Sequence, residues 1–175
     1  DKMSKGVQFL MKKNKIDVVM GFGKLKATGQ LEVTKADGTK QLVEGKHIII
    51  ATGARSRQLP SMPIDGKKII GYREAMVLPQ LPKSIIVVGS GAIGVEFAYF
   101  YNSMGSKVTI VEFLPRIVPV EDEDISKELE KSYKKSGIEI LTSAEVTSVD
   151  TSGPGVKAKV KTATGELILE ADILL

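Results

Sequence analysis

The sequence has 175 residues, of which 42% are apolar and 26% charged, and its formal net charge is +4. This is the composition of a globular protein with a packed core, and the length allows one domain or two small ones. The absence of cysteine excludes a disulfide framework, a thiolate metal site and a thiol nucleophile from this chain, and the single histidine excludes a multi-histidine metal site. The Lys and Arg residues are scattered in runs of at most two, so we predict no nucleic-acid partner.

No apolar run approaches the roughly 20 residues that a membrane span requires, and no secretory leader is recognisable. We therefore predict no membrane partner and a cytoplasmic location. The chain begins without methionine and ends in an apolar run, Ile173-Leu174-Leu175. We interpret these ends as those of an internal fragment of a longer protein.

The first third of the sequence predicts one helix followed by short strands. Apolar residues recur at helical spacing over residues 3–13, and residues 16–20 then predict a short apolar strand. Three further short strands predict an antiparallel meander, at residues 24–27, 30–34 and 41–43.

The turn and the last strand of this part have their own signals. Asp37-Gly38 predicts a tight hairpin turn, because this pair adopts positive φ angles at low cost. The continuous apolar run from His47 to Ala51 is typical of a strand buried on both faces. That placement makes His47 a structural residue rather than a catalytic one.

Residues 59–82 contain four prolines and predict a linker with one short helix near residues 72–77. The sequence then alternates between strands and helices, as in a parallel α/β fold. The predicted elements are a strand at 84–88, a helix at 92–104, a strand at 107–112, a helix at 122–135 and a strand at 138–141. They are followed by a second meander (144–149, 156–162 and 167–169) and a last strand at 172–175.

The two parts of the chain share a repeat. Residues 3–18 match residues 125–140 at a constant offset, so that Ser4-Lys5 corresponds to Ser126-Lys127. Both copies continue into a strand, a meander and an apolar strand, which favours duplication over two α/β units that converged on one pattern. We predict two partial domains, with residues 1–80 as the C-terminal part of one plus a linker and residues 81–175 as the other, truncated at its C-terminal end.

The motif that carries chemistry is the run from Gly89 to Gly94, which has the form G-x-G-x-x-G. It lies between a predicted strand and a predicted helix, as a dinucleotide-binding loop does. There Gly89 permits the turn, Gly91 lets a pyrophosphate approach the backbone, and Gly94 lets the helix pack against the strand. The helix N-terminus adds free N–H groups and partial positive charge. The alternative is a glycine-rich turn that binds no ligand.

Two acidic residues accompany this motif. Glu112 ends the next strand, where an acid hydrogen-bonds the ribose hydroxyls of NAD. At about 4 Å and an effective dielectric of about 20 it would repel each charge of the NADP 2′-phosphate by about 4 kcal/mol, which Arg116 could partly offset. Glu96, in the first turn of the helix, either interacts with the helix dipole or lies at the nicotinamide end of the site. We predict NAD.

The run from Val88 to Ala98, with Val108 to Glu112, resembles the NAD domain of the pyridine nucleotide–disulfide oxidoreductases. Ile48 to Ala54 is similar to the segment of that family that contacts FAD. Residues 112–117 and 121–126 most resemble the members that oxidise dihydrolipoamide. The resemblance covers essentially the whole chain. It implies an α/β fold in which a Rossmann-like NAD-binding domain, with a parallel sheet and an antiparallel meander, is joined to part of a related FAD-binding domain.

The resemblance also implies a set of cofactor-binding residues. Those implied for NAD are Gly89, Ser90, Gly91, Ala92, Ile93, Gly94, Val95, Glu96, Glu112 and Val146. Those implied for FAD are Gly23, Thr52, Gly53 and Ala54. Two of them have an equally simple alternative, since Gly23 is also typical of a turn and Val146 of a core.

For the whole protein the resemblance implies an NAD-dependent flavoprotein oxidoreductase, expected to be a homodimer. Its substrate would be dihydrolipoamide on a carrier protein of a 2-oxo acid dehydrogenase complex, with a hydride passing from FAD to NAD. The redox cysteines and the acid–base pair of the family have no counterpart in this sequence. We therefore assign no catalytic residue and predict that the fragment alone is inactive. The alternatives are a mercuric reductase or an NADH oxidase of the same family, or a non-catalytic NAD-binding module.

Overall fold

A computed structural model of the chain describes residues 2–175. Within that range one parallel sheet and two antiparallel sheets combine with four helices, which confirms the α/β fold class. The chain divides into two compact units, one ending at Ala54 and one beginning at Arg55. None of the helices in residues 2–175 has the length and the apolar character that a membrane span requires.

The first unit contains one helix and the predicted meander. The helix α1 spans Lys2–Lys13, and the strands are β1 (Phe22–Ala27), β2 (Gln30–Thr34) and β3 (Lys40–Glu44). They pair antiparallel in the order β1-β2-β3. The β2–β3 turn is closed by a hydrogen bond from the Lys35 N–H to the Thr39 carbonyl, and of the predicted pair only Gly38 takes a positive φ, of 82°.

Two predicted strands of this unit, at residues 16–20 and 47–51, are absent from the part of the unit that the structure describes. Ile49 is 89% exposed and His47 is also exposed, so the predictions of a buried strand and of a buried structural histidine are wrong here. An apolar run becomes a doubly buried strand only when strands on both sides satisfy its backbone. The only sheet within residues 2–54 is the antiparallel meander, which offers no such place.

Gly23 does not lie in a turn, which was the alternative interpretation of this residue. It lies inside β1 opposite Val33, and a Cβ there would meet only the Leu31 side chain at ordinary contact distance. The turn glycine is Gly21, whose φ is 156° and whose Cβ would lie 2.5 Å from the Thr34 carbonyl oxygen.

The second unit is built around a parallel sheet. Its strands are β4 (Ser84–Val88), β5 (Lys107–Val111), β6 (Glu139–Leu141) and β10 (Ile173–Leu174), in the order β10-β4-β5-β6. The helices α2 (Tyr72–Ala75), α3 (Ala92–Ser103) and α4 (Glu123–Lys135) belong to the same unit. Asp122 caps α4 by accepting the Asp124 N–H, and Gly137 follows its C-terminus with a φ of 87°. These elements lie where the sequence predicts them.

A second antiparallel meander packs on the parallel sheet. It consists of β7 (Glu145–Asp150), β8 (Val156–Thr162) and β9 (Gly165–Ala171). Because successive side chains of a strand point to opposite faces, β4 serves two cores. Ile85 and Val87 pack with residues of α3 and α4, whereas Ile86 packs with Val146 and the rest of the meander.

Residues 55–82 are more ordered than the predicted linker. Ile69 and Ile70 are buried, and the Ile70 N–H donates to the Leu174 carbonyl while the Leu174 N–H donates to that of Lys68. This stretch therefore runs parallel beside β10 and packs with the second unit. The assignment of residues 1–80 and 81–175 to two domains of common origin stays a prediction.

The backbone supports the predicted repeat. Lys15 and Gly137, which occupy matching positions after α1 and α4, both adopt left-handed conformations, with φ of 56° and 87°. Each meander also has a register shift in its first strand pair, between Leu25 and Ala27 in one and between Val146 and Ser148 in the other. After α4 the chain forms β6 on β5, whereas residues 16–20 have no such neighbour among the described residues.

Candidate functional site

The glycine-rich loop connects β4 to α3 at the carboxyl end of the parallel sheet. Its first glycine, Gly89, has a φ of 96°, a conformation that favours glycine, and donates its N–H to the Val111 carbonyl at 2.8 Å. Gly91 is the N-cap residue of α3, with ordinary extended angles of φ −66° and ψ 178°. The loop is therefore anchored to β5 at one end and opens the helix at the other.

The third glycine of the loop is required by a close contact. A Cβ on Gly94 would lie 2.1 Å from the Gly89 carbonyl oxygen and 3.4 Å from Cγ1 of Val87. No side chain fits there without moving α3 away from β4. This is the helix–strand approach that the motif predicts for Gly94.

Gly91 has the opposite surroundings. A Cβ on Gly91 would meet nothing within 4 Å, and the residue is exposed. The N–H groups of the first turn of α3 have no carbonyl four residues before them within the helix. Backbone donors and the positive end of the helix dipole are therefore accessible to an anionic group at this point.

Glu112 holds this loop in place. Its carboxylate Oε2 accepts the Ser90 N–H at 2.7 Å and the Ser90 hydroxyl at 2.6 Å, and its Oε1 accepts the Leu114 N–H at 2.7 Å. Glu112 is only 6% exposed, and Ser90 is fully buried. A carboxylate has about four acceptor positions, so one on Oε1 is left for another donor.

Sequence reasoning assigned both residues to the site but did not pair them. The available signal was a hydroxyl side chain inside the glycine motif together with an acid at the end of the next strand. Neither residue type alone predicts a direct bond between loop and strand.

Arg116 is engaged within its own segment. Its guanidinium donates to the Pro119 carbonyl at 3.1 Å and to the Glu121 carbonyl at 3.4 Å. It therefore stabilises the loop between β5 and α4. Both hydrogen bonds are made by one guanidinium nitrogen, Nη2.

A cleft of about 540 Å³ adjoins the glycine-rich loop, within the size range of small-molecule sites. It is predominantly apolar and is lined by, among others, Ile69, Tyr72, Val88, Gly91, Ile93 and Leu175. Within the sheet, β5 lies next to β4 on one side and β10 lies next to it on the other. Ligands of open α/β sheets bind at such a point, where the strand order reverses.

The remaining residues predicted for NAD occupy three environments. Ile93 is exposed at the cleft, and Glu96 is exposed on α3, beside a smaller pocket lined by Met76, Phe97 and Phe100. Val95 and Val146 are buried in the two cores. The side chain of Val146 therefore serves packing, as its alternative proposes.

The residues predicted for FAD lie in the first unit. Thr52, Gly53 and Ala54 are exposed in an irregular segment, and Gly53 has a φ of 79° with nothing within 4 Å of an added Cβ. Gly23 is on β1. The residues predicted for the two cofactors thus belong to two different compact units.

A parallel strand–loop–helix–strand unit with a glycine-rich loop and an acid after the second strand is typical of α/β proteins that bind nucleotides. The comparison with known families is more specific. The chain matches the pyridine nucleotide-disulphide oxidoreductase family over residues 1–175, and it belongs to that family. The family predicted from the sequence is confirmed.

The chain is similar to curated members of this family. It is 47% identical over 182 residues to dihydrolipoyl dehydrogenase of Rhizobium etli, covering 95% of this chain and 37% of that protein. It is 41% identical over 175 residues to leghemoglobin reductase of Vigna unguiculata, covering 99% of this chain and 34% of that protein. The chain thus spans about a third of the length of the curated relatives it matches.

The fold is similar to solved structures as well. The crystal structure of LpdA from Mycobacterium tuberculosis has a TM-score of 0.84 at 30% identity, covering 99% of this chain and 39% of that one. The predicted likeness to the members that oxidise dihydrolipoamide is confirmed by the curated relatives named dihydrolipoyl dehydrogenase.

Proposed function

We propose that the second unit binds NAD through its glycine-rich loop. The observation that carries this proposal is the open surface at Gly91, where a phosphate could reach the N-terminus of α3 beside a cleft of suitable size. The residues of the predicted NAD set that face this space are Gly89, Gly91, Ala92, Ile93 and Gly94. Ser90 supports them from beneath, and Val95 acts through packing.

Glu112 favours NAD over NADP in this proposal. Its Oε1 retains an acceptor position for a ribose hydroxyl, and its charge opposes a 2′-phosphate. Arg116, which could have offset that charge, is bonded to the carbonyls of Pro119 and Glu121. NADH should therefore bind more tightly than NADPH.

We propose further that Gly23, Thr52, Gly53 and Ala54 form part of an FAD-binding surface. The support is the resemblance of residues 48–54 to the flavin-contacting segment of the family, together with the family match. The exposure of Thr52 and the open space around Gly53 are compatible with a close cofactor contact.

For the protein as a whole we propose the dihydrolipoyl dehydrogenase reaction. When bound, FAD and NAD supply the hydride chemistry that side chains cannot perform. The residues of this chain contribute binding and orientation: the loop backbone holds the pyrophosphate and Glu112 holds the ribose. The substrate would be dihydrolipoamide on a carrier protein of a 2-oxo acid dehydrogenase complex, and the whole protein would be a homodimer.

A second candidate, an electron acceptor, is suggested by the relatives named leghemoglobin reductase. The leghemoglobin reductase of Vigna unguiculata matches this chain at the same level as the dihydrolipoyl dehydrogenase of Pisum sativum, 41% in both cases. An oxidised haem protein is therefore a candidate electron acceptor of the whole protein. Mercuric reductase and NADH oxidase chemistry remain alternatives in the same family.

The NAD proposal is tested by titrating the chain with NADH and following the nucleotide fluorescence. Gly91→Val should abolish binding without unfolding the protein, because its Cβ has open space and its backbone angles suit any residue. Gly153→Val is the matched control, since that residue also has nothing within 4 Å and lies in the β7–β8 connection. Equal binding by Gly91→Val and by the unaltered chain would refute the proposal.

For the 175-residue chain alone we expect weak NADH binding, no stably bound flavin and no turnover of dihydrolipoamide. It has no cysteine with which to carry the thiol–disulfide step of the reaction. A yellow purified chain with the absorbance of bound FAD, or turnover of free dihydrolipoamide, would contradict this expectation.

A further inference from the structure

Val118 has the least expected backbone conformation in the second unit. It is a β-branched residue with a φ of 40°, and it is buried, with 7% of its surface exposed. Such a residue pays a steric cost in the left-handed region, so the conformation persists only where surrounding contacts impose it. The segment that contains it runs from the end of β5 to α4.

The Glu121 N–H donates to the Val118 carbonyl at 2.9 Å, and two further hydrogen bonds hold the preceding peptide unit, one on each side of it. The Val118 N–H donates to the Ser90 carbonyl in the glycine-rich loop at 2.9 Å. The carbonyl of the same peptide unit, that of Ile117, accepts the Ser126 hydroxyl from α4 at 2.6 Å. Ser90 and Ile117 are fully buried and Ser126 is 1% exposed, so water does not compete for these groups.

The peptide unit between Ser90 and Gly91 connects these hydrogen bonds to the glycine-rich loop. A trans peptide directs its C=O and its N–H in opposite directions. Because the Ser90 carbonyl points to Val118, the N–H of Gly91 points away from Val118, and Gly91 itself is exposed. Hydrogen bonds in such a series also polarise one another, which strengthens the last donor.

We propose that Ser126 is a positioning residue for dinucleotide binding. Its hydroxyl begins a relay, defined as Ser126 Oγ–H to Ile117 C=O, Val118 N–H to Ser90 C=O, and finally Gly91 N–H toward the pyrophosphate. The relay rests on the proposed NAD site, in which Gly91 contacts the phosphates. Ser126 itself touches no ligand; it fixes and polarises the peptide that does.

The residue type at position 126 is also informative. The matching residue of α1 is Ser4, which is exposed, whereas Ser126 is buried and its hydroxyl is hydrogen-bonded. Propensity does not explain this serine, because serine competes with the backbone for hydrogen bonds inside helices.

The test compares Ser126→Ala with Ser106→Ala in the full chain. Ser106 is also buried, and its hydroxyl also donates to a carbonyl at 2.6 Å, that of Pro82, which is not in the relay. Both variants lose one buried hydrogen bond of the same kind. We expect Ser126→Ala to weaken NADH binding about 5-fold, since one modest hydrogen bond is at stake, and Ser106→Ala to leave it unchanged.

Amide hydrogen exchange at Val118 is the second readout, measured without nucleotide. In the unaltered chain this amide should be protected, and Ser126→Ala should accelerate its exchange at least about 10-fold more than Ser106→Ala does. Should Ser126→Ala fail to fold, Ser126→Cys keeps a side chain of similar size with a weak donor and should show the same direction of change. The protection of Val118 in the unaltered chain requires no variant at all.

The outcomes separate this proposal from the proposed function. Binding of NADH by the unaltered chain with equal affinity in Ser126→Ala and Ser106→Ala would overturn the relay and leave the NAD site standing. Rapid exchange at Val118 in the unaltered chain would overturn the relay as well. Absence of NADH binding by the unaltered chain would overturn the NAD site itself, and the role of the relay with it.

Discussion

Replacement of Gly94 by alanine should destabilise the second unit, whereas the same replacement at Gly91 should not. The added Cβ at position 94 would lie 2.1 Å from the Gly89 carbonyl oxygen and 3.1 Å from its carbon. Both atoms are backbone and cannot rotate away. An ordinary contact requires more than about 3 Å, so α3 must shift from β4 by about 1 Å.

The size of this destabilisation depends on the side chains that α3 buries. Val95, Ala98 and Tyr101 pack from this helix into the core shared with β4 and β5. Overpacking of a well-packed core costs about 1–3 kcal/mol, and alanine regains at most about 1 kcal/mol over glycine in a helix. We therefore expect the Gly94→Ala free energy of unfolding to fall by about 1–2 kcal/mol.

Gly91→Ala provides the internal control. The residue already has extended angles and open space, so alanine is accommodated and also reduces the entropy of the unfolded chain. Stability should be unchanged or higher by less than about 1 kcal/mol. NADH binding should nevertheless weaken, because the methyl group occupies the approach to the loop.

Urea unfolding followed by tyrosine fluorescence measures this difference selectively. The chain has no tryptophan, and its four tyrosines are Tyr72, Tyr99, Tyr101 and Tyr133, all in the second unit. The signal therefore reports that unit without a contribution from tyrosines of the first. Equal midpoints and slopes for Gly94→Ala and the unaltered chain would refute the steric reasoning.

Three further predictions concern buried or shielded polar groups. Glu112→Gln should lower the free energy of unfolding by about 2 kcal/mol in the same assay, because the amide NH₂ would face one of the three N–H or O–H donors that now bind the carboxylate. An unchanged urea midpoint would contradict this. Burial raises the pKa of Tyr101, so its contribution to stability should be complete below about pH 10 and should fall as the pH rises toward the pKa in the folded state. Far-UV circular dichroism should show that this decline is shallower in Tyr101→Phe. Burial acts to raise the pKa of Asp65, but the N–H groups of Lys67, Lys68 and Ile69 outweigh it and hold that pKa below its ordinary value. Its stabilisation should be present above about pH 4 and lost as the pH falls further, and an acid unfolding profile identical in Asp65→Asn would argue against this.

The elements of the second unit were predictable because their signals are local. The glycine motif, the acidic first turn of α4 and the apolar run of β4 each specify their own conformation, and the structure places all three at the predicted residues. The approach of Gly94 to Gly89 follows from the same motif. Fold class and the position of the candidate site could therefore be obtained from residues alone.

The predictions that failed depended on distant partners. Residues 47–51 have the composition of a buried strand, yet a strand exists only where neighbouring strands accept it. Residues 68–70 lie beside β10, about 100 residues later in the chain, and nothing near them in sequence indicates that pairing. The left-handed Val118 opposes local preference, and the hydrogen bonds that hold it and the preceding peptide unit come in part from Ser90 and Ser126, which are distant from it in sequence.

The order of strands in the parallel sheet has a consequence for folding during synthesis. β4 pairs with β5 some 20 residues later but meets β10 only after 88 residues, at Ile85 opposite Ile173. At a synthesis rate of about 5–20 residues per second, one edge of β4 remains unpaired for roughly 4–18 s. Residues 68–70 remain unpaired until the same strand is made, since they pair with Leu174. A nascent chain thus carries an open, apolar strand edge until residues 173–175 emerge, and in that interval it is most exposed to pairing with other chains.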